Sequence, residues 1–153
     1  MDFGFTKRKK GITIEERVYQ EIVDHAKDAY PNECCGFLIG KEMGGKRVWS
    51  VERGTNLNTE RADRFEMDPK EFVGVEKQAD DEGLNVIGFY HSHPDWPAVP
   101  SQTDIMWAWE GSYYLIVSVH EKHPFNTAVW SLAEDGPNRF IQEPLEILDE
   151  SRS

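Results

Sequence analysis

Gly88-Phe-Tyr-His-Ser-His-Pro94 and, after a six-residue loop, Ser101-Gln-Thr-Asp104 form the stretch of sequence on which the predicted fold and function rest. The residues that lead into the histidines are apolar and β-favouring, which predicts a buried strand. Residues two apart in a strand share a face, so His91 and His93 can direct their ring nitrogens at one point. Pro94 cannot donate a hydrogen bond to a neighbouring strand and is therefore predicted to end this one.

The loop after Pro94 leads into a predicted helix start. It contains two further prolines, which exclude a helix and favour a stiff connection. Ser101 is typical of a helix N-cap, and Asp104 falls in the first turn of a helix predicted over Thr103–Trp109. The helix dipole by itself favours an acidic residue there, which is a sufficient structural reason for Asp104. However, two histidines and one aspartate are also the three protein ligands of a catalytic zinc site, with water as the fourth.

These residues resemble the zinc motif of a known family. His91-Ser-His93-Pro94 followed by Ser101-x-x-Asp104 is similar to the signature of the JAMM, or MPN-plus, metalloproteases. Upstream, Glu33-Cys-Cys-Gly36 matches the Glu-x-Cys-Gly pattern of that family, at the start of a strand predicted over Glu33–Gly40. The alternation of strands and helices predicts an α/β fold. The resemblance implies a compact prokaryotic type of JAMM/MPN domain, with one mixed sheet flanked by helices in a cytidine-deaminase-like architecture.

The resemblance also implies a role for each polar residue of the motif. His91, His93 and Asp104 would hold one Zn²⁺ per chain, Glu33 would be the general base, and Ser101 would donate a hydrogen bond to the oxyanion. The implied reaction is hydrolysis of an amide or isopeptide bond, at the C-terminal tail of a ubiquitin-like or sulfur-carrier protein. Trp96, an aromatic residue between prolines, either packs into the core or grips an extended substrate tail.

Several other functions were compatible with parts of the sequence. A non-catalytic MPN scaffold is one alternative, although scaffolds of that kind typically lack the zinc ligands. A peptidoglycan-type endopeptidase is another, and the absence of an export signal counts against it. A zinc deaminase requires a Pro-Cys-x-x-Cys ligand pair, which this sequence does not contain. A cysteine nucleophile, Cys34 or Cys35, would need a histidine base that metal binding would occupy.

Composition limits the remaining possibilities. A chain of 153 residues suits one domain. The net charge of −11 argues against a nucleic-acid partner. No apolar run approaches the roughly 20 residues of a membrane span, and the N-terminus lacks the apolar core of a signal peptide. Two adjacent cysteines do not form a disulfide framework, so a cytoplasmic location is expected. The sequence leaves the oligomeric state open.

The predicted organisation has three parts. Residues 1–11, with Lys7-Arg-Lys-Lys10, are predicted to be a flexible basic tail, residues 12–143 the JAMM/MPN domain, and residues 144–153 a C-terminal tail in which Leu145–Leu148 could add a short strand. The further predicted elements are a helix over Ile14–Tyr30, strands over Lys46–Arg53 and about Arg64–Met67, a helix from Asp68 to about Glu82, and strands over Tyr113–His120, Thr127–Leu132 and Arg139–Gln142.

Overall fold

A mixed sheet and two helices make up the computed structural model, which describes residues 11–58, 60, 65–102, 104, 112–133 and 139–149. The strands are β1 (Ile12–Glu15), β2 (Cys35–Glu42), β3 (Lys46–Arg53), β4 (Asn85–Pro94), β5 (Tyr113–His120), β6 (His123–Leu132), β7 (Phe140–Glu143) and β8 (Leu145–Leu148). The helices are α1 (Glu16–Ala29) and α2 (Pro69–Asp81). The strand order is β7-β6-β5-β4-β2-β3-β1-β8. The predicted α/β class is confirmed.

Strand direction varies across the sheet. β4 runs parallel to β5, and β1 runs parallel to both β3 and β8. The remaining neighbours pair in antiparallel fashion. Within the described ranges, no helix is long and apolar enough to cross a membrane.

Apolar side chains cover both faces of the central strands. On one face α1 packs with Val18 and Ile22 against a cluster that includes Leu38 and Tyr90. On the other face α2 packs with Val75 and Ala79 against Phe37, Ile39 and Phe89. Because β2 contributes to both clusters, its residues read as one continuous apolar run rather than an alternating one.

The alternation of β4 decides where the histidines lie. Phe89 faces the α2 side of the sheet and Tyr90 faces the α1 side. By the two-residue period of a strand, His91 and His93 follow Phe89 on the α2 side, beyond the apolar cluster. Parallel β5 runs alongside and places Ser118 next to His93 in the ladder. The strand ends at Pro94, as predicted.

Helix α2 begins where the sequence signals placed it. Asp68 accepts a hydrogen bond from the backbone N–H of Lys70, and Pro69 occupies the first helical position. Both features are typical of helix N-termini. After Glu82 the chain leaves the helix through Gly83, whose φ of +74° is easily adopted by glycine.

The predicted start of the first helix was wrong. Residues 12–15 form strand β1, and α1 begins at Glu16. Ile12 and Ile14 are both buried, which suits the period of a strand. The N-cap residue Glu15 makes no side-chain capping bond, so no local signal marks the helix start. Pairing of β1 with β3 and β8, which are distant in sequence, decides its conformation.

The short strand predicted at about Arg64–Met67 is also wrong for residues 65–67, which belong to no strand. The backbone of Glu66 instead bonds to the loop that follows β3. The Leu57 N–H donates to the Glu66 carbonyl, and the Glu66 N–H donates to the side chain of Asn56. A side chain therefore takes the place that a neighbouring strand would occupy.

Other predictions concern residues at or beyond the ends of the described ranges. Residues 145–148, left open between strand and tail, form β8. The predicted helix over 103–109, apart from Asp104, lies outside the described residues, as do residues 1–10 and 150–153 of the predicted tails.

Candidate metal centre

Three side chains converge at the end of β4. The Nε2 atoms of His91 and His93 lie 3.2 Å apart, and each lies 3.1 Å from Oδ2 of Asp104. Both histidines are buried, with 2% and 0% of their surface exposed. Two nitrogens and one carboxylate oxygen thus form a nearly equilateral triangle. The two histidines that contribute the nitrogens are buried and have almost no contact with solvent.

The hydrogen bond of the second ring nitrogen of His93 decides which nitrogen carries the proton. Its Nδ1 lies 2.8 Å from the backbone carbonyl of Pro97. Because a carbonyl only accepts hydrogen bonds, Nδ1 carries the proton of the neutral ring and Nε2 carries a lone pair. Metal-bound histidines are typically held in this way, by an outer partner on the other nitrogen.

The resulting donor set fits a metal ion. The lone pair of His93 Nε2 faces an oxygen of Asp104 at 3.1 Å, and two such acceptors repel each other unless a cation or a proton lies between them. A tetrahedral ion with bonds near 2.0 Å separates its ligand atoms by about 3.3 Å. The triangle has almost this size, so the three atoms are pre-arranged for a zinc-like ion.

Electrostatics also favour the ligand forms of these groups. Burial, only partly offset by the neighbouring Asp104, lowers the pKa of His91 below its ordinary value and favours the neutral imidazole. Burial by itself would raise the pKa of Asp104. The adjacent His91 and His93 imidazoles and the hydrogen bond from the Ser101 N–H outweigh it, so the pKa of Asp104 lies well below its ordinary value. Asp104 is therefore ionised at neutral pH.

Ser101 and Asp104 hold each other at the start of the following segment. The backbone N–H of Ser101 donates to Oδ2 of Asp104 at 2.8 Å, and the backbone N–H of Asp104 donates to Oγ of Ser101 at 3.0 Å. This reciprocal pair is an aspartate version of the capping box. It orients the carboxylate toward the histidines and leaves the Ser101 hydroxyl with its own hydrogen to donate.

Glu33 brings a second carboxylate to the histidine pair. One of its oxygens and one nitrogen from each of His91 and His93 lie within 4.8 Å of one another, a grouping that could itself hold a metal ion. Glu33 is 3% exposed, although it precedes β2 rather than belonging to it. Two carboxylates thus lie near the same pair of histidines. Asp104 belongs to the triangle of close contacts, and Glu33 lies beside it.

Trp96 lies against the site rather than away from it. Its ring stacks on His93 with centroids 3.9 Å apart and planes 4° apart, and its carbonyl accepts a hydrogen bond from Ser118. The turn that delivers it passes through Asp95, whose φ is +63°. Tyr30 and His120 both contact the carboxylate of Asp95, at 2.7 and 2.8 Å, which anchors the turn to the residue that follows α1 and to the end of β5.

Sequence reasoning missed Phe65. Its ring stacks on His91 with centroids 4.6 Å apart and planes 29° apart. The Nδ1 of His91 has no hydrogen-bond partner in the part of the chain that the structure describes. Phe65 therefore contributes to the orientation of His91, much as the Pro97 carbonyl does for His93. Because residues 65–67 form no regular element, no pattern in the sequence indicated this contact.

Comparison with known proteins gives consistent matches. A family model described as prokaryotic homologs of the JAB domain matches residues 15–133. A desampylase from Haloferax volcanii is 36% identical over 112 residues, which cover 70% of this chain and 80% of that protein. A CysO-cysteine peptidase from Mycobacterium tuberculosis is 28% identical over 141 residues, covering 91% of this chain and 92% of the relative.

Solved structures show the same fold. The solution structure of a protein from Desulfitobacterium hafniense superposes with a TM-score of 0.79 at 31% identity, covering 92% of this chain and 94% of that one. The crystal structure of a JAB1/MPN domain protein from Archaeoglobus fulgidus superposes with a TM-score of 0.55 at 19% identity, covering 90% of this chain and 97% of the other. The second likeness concerns the fold alone.

Proposed function

This chain belongs to the family of prokaryotic homologues of the JAB domain, and from that premise we propose that it is a zinc metallopeptidase. Its reaction is hydrolysis of an amide or isopeptide bond at the C-terminal tail of a ubiquitin-like or sulfur-carrier protein. The observation that carries the proposal is the triangle of two imidazole nitrogens and one carboxylate oxygen with sides of 3.1–3.2 Å. The family resemblance predicted from the sequence is confirmed.

The names of the relatives support a hydrolytic role. One is called a desampylase and another a CysO-cysteine peptidase, and a third, from Thermus thermophilus, a probable TtuB-protein conjugate cleaving protease. All three names denote cleavage. A non-catalytic scaffold would not need this buried set of polar side chains, since burying such groups without function costs stability.

In the proposed mechanism, His91, His93 and Asp104 would hold one zinc ion per chain. When bound, zinc lowers the pKa of a coordinated water to about 7, so that hydroxide is available near neutral pH. The protein contributes two buried histidines. It also contributes the capping-box contacts that keep Asp104 ionised and oriented toward these histidines.

Glu33 is the proposed general base. Its carboxylate lies within 4.8 Å of the histidine nitrogens, close enough to reach a water at the centre of the site. It would take the proton of the attacking water and then give it to the leaving amine, because the same group can serve in both directions. Neither step requires Glu33 to ligate the ion.

Ser101 is the proposed oxyanion donor. Its Oγ already accepts from the Asp104 N–H, so the hydroxyl hydrogen can point at the developing negative charge on the carbonyl oxygen of the substrate. A hydrogen bond formed mainly in the transition state accelerates the reaction without tightening substrate binding.

Replacement of Ser101 by alanine is expected to lower kcat by about 10²–10³-fold, the usual cost of losing one oxyanion donor. KM should change little, and Ser101→Thr, which keeps a hydroxyl, should retain most of the activity. Steady-state kinetics of the zinc-loaded variants would measure both. A Ser101→Ala protein that retains its zinc and turns over at the wild-type rate would remove Ser101 from the mechanism.

Trp96 is proposed to border the path of the substrate tail. One face of its ring covers His93, which makes it part of the site wall, and the side chain is only half-buried. An extended tail could therefore lie against the exposed part of the ring.

The deciding experiment offers the zinc-loaded protein a ubiquitin-fold sulfur carrier that ends in Gly-Gly. The carrier is joined through that terminus either to the amino group of a lysine side chain or to a short added peptide. We expect mass spectrometry to show the carrier released with an intact Gly-Gly end, and no release in a chelated sample. Equal release with and without chelator, or intact substrates with zinc-loaded protein, would contradict the proposal.

A further inference from the structure

We propose that Asn56 is a positioning residue that fixes both the Glu33 backbone and the Phe65 ring around the histidine pair. This inference rests on the proposed function, because it assigns Asn56 to the alignment of the general base. Asn56 is half-buried in the loop after β3, and neither the metal triangle nor the catalytic groups include it.

The first contact concerns Glu33. The amide nitrogen Nδ2 of Asn56 donates to the backbone carbonyl of Glu33 at 3.0 Å. Glu33 precedes β2, so the regular ladder of that strand does not include it. The next residue, Cys34, is held by Ser92 through its N–H and its carbonyl. Asn56 therefore supplies the contact that holds the carbonyl of the base residue itself.

The second set of contacts leads to Phe65. Oδ1 of Asn56 accepts from the backbone N–H groups of Asn58 and Glu66, each at 2.9 Å. Glu66 is the neighbour of Phe65, and Phe65 stacks on His91. One side-chain amide thus joins the backbone of the base to the segment that packs on a proposed metal ligand.

Only an amide can make this set of contacts at this length of side chain. Asparagine offers two N–H donors and an oxygen with two lone pairs, whereas aspartate at neutral pH only accepts. Aspartate at this position would keep the bonds from Asn58 and Glu66 but would place two acceptors against each other at the Glu33 carbonyl. The two halves of the Asn56 role can therefore be separated by substitution.

The start of the loop is anchored independently of Asn56. The Thr55 N–H and hydroxyl both donate to the carboxylate of Glu71 on α2, and the Gly54 N–H donates to the Cys35 carbonyl. These bonds remain when Asn56 is changed. Substitution at position 56 should accordingly shift Glu33 and Phe65 without releasing Gly54 and Thr55.

The test compares Asn56→Asp and Asn56→Ala with the control Asn58→Ala in the same loop, all loaded with zinc. We expect kcat to fall by about 10–100-fold in both Asn56 variants, since small misplacement of a catalytic group can cost about 10²-fold. KM should stay near wild type in both variants, zinc affinity should stay near wild type in Asn56→Asp, which keeps the contacts to the Phe65 segment, and Asn58→Ala should keep its kcat. Wild-type kcat in folded, zinc-loaded Asn56 variants, or an equal loss in Asn58→Ala, would overturn the inference.

Amide hydrogen exchange makes the result independent of the choice of substrate. We expect the Glu66 N–H to exchange faster in Asn56→Ala but not in Asn56→Asp, which keeps the acceptor. Unchanged exchange in Asn56→Ala would overturn the inference even if no carrier protein is cleaved. Inactivity of the wild-type protein would count against the proposed function alone, because the exchange measurement does not depend on activity.

Discussion

Glu33→Gln should lower kcat by about 10²–10⁴-fold, the range that general acid–base catalysis contributes. Glutamine has nearly the size and shape of glutamate and can occupy the same buried position, but its amide cannot take a proton from water. The change therefore removes the proposed chemistry and leaves the packing in place. Steady-state hydrolysis of the carrier conjugate, with zinc content measured on the same sample, is the appropriate measurement.

The matched control for this prediction is Glu66→Gln. The Glu66 side chain is exposed, and the contacts of this residue that matter at the site come from its backbone N–H and carbonyl. Its kcat should equal that of the wild type. Comparable activity of Glu33→Gln and Glu66→Gln would show that Glu33 is not the base.

Asp104→Asn is expected to abolish tight zinc binding, while Glu33→Gln retains it. Asparagine can still accept from the Ser101 N–H, so the capping contact survives and the main loss is the negative charge that faces the two histidines. Outer-shell changes typically cost 10–100-fold in metal affinity. Loss of a ligand should exceed that, so we expect a decrease of more than about 100-fold in competition with a chromophoric chelator.

The same pair of variants identifies which carboxylate binds the ion. Glu33 and Asp104 both lie near His91 and His93, but only Asp104 lies 3.1 Å from both nitrogens. Retention of zinc by Asp104→Asn together with its loss in Glu33→Gln would reverse the two assignments.

Thermal unfolding gives a second reading of metal binding. A ligand that binds only the folded state stabilises it by about 4 kcal/mol when its free concentration is 1,000 times Kd. Zinc should therefore raise Tm in the wild type and in Glu33→Gln, and much less in Asp104→Asn. Treatment of the wild type with a chelator should reverse the stabilisation and stop hydrolysis together.

Local sequence signals predicted much of this molecule correctly. An apolar run ended by proline predicted the strand that carries His91 and His93, and an aspartate N-cap followed by proline predicted the start of α2. These features depend on residues that are close to one another in the sequence. The pairing of Ser101 with Asp104 is equally local.

Features set by distant pairing could not be predicted in this way. Ile12–Glu15 lie next to a strong helix pattern, and only β3 and β8 turn them into a strand. Residues 65–67 contain β-favouring side chains, yet their backbone bonds to a side chain from an earlier loop. In both cases the deciding partners are remote in sequence, so neither periodicity nor propensity reports them.

The sequence by itself showed that two histidines and one aspartate have the types and spacing to hold one metal ion, whereas the roles expected of Glu33 and Ser101 came from the resemblance to a known family. Tertiary structure alone decided their arrangement. Placing Glu33 beside β4, stacking Phe65 and Trp96 on the two imidazoles, and joining Glu33 to Glu66 through Asn56 all require separate segments to meet. Such meetings follow from burial and hydrogen-bond satisfaction summed over the whole domain, which no single stretch of sequence contains.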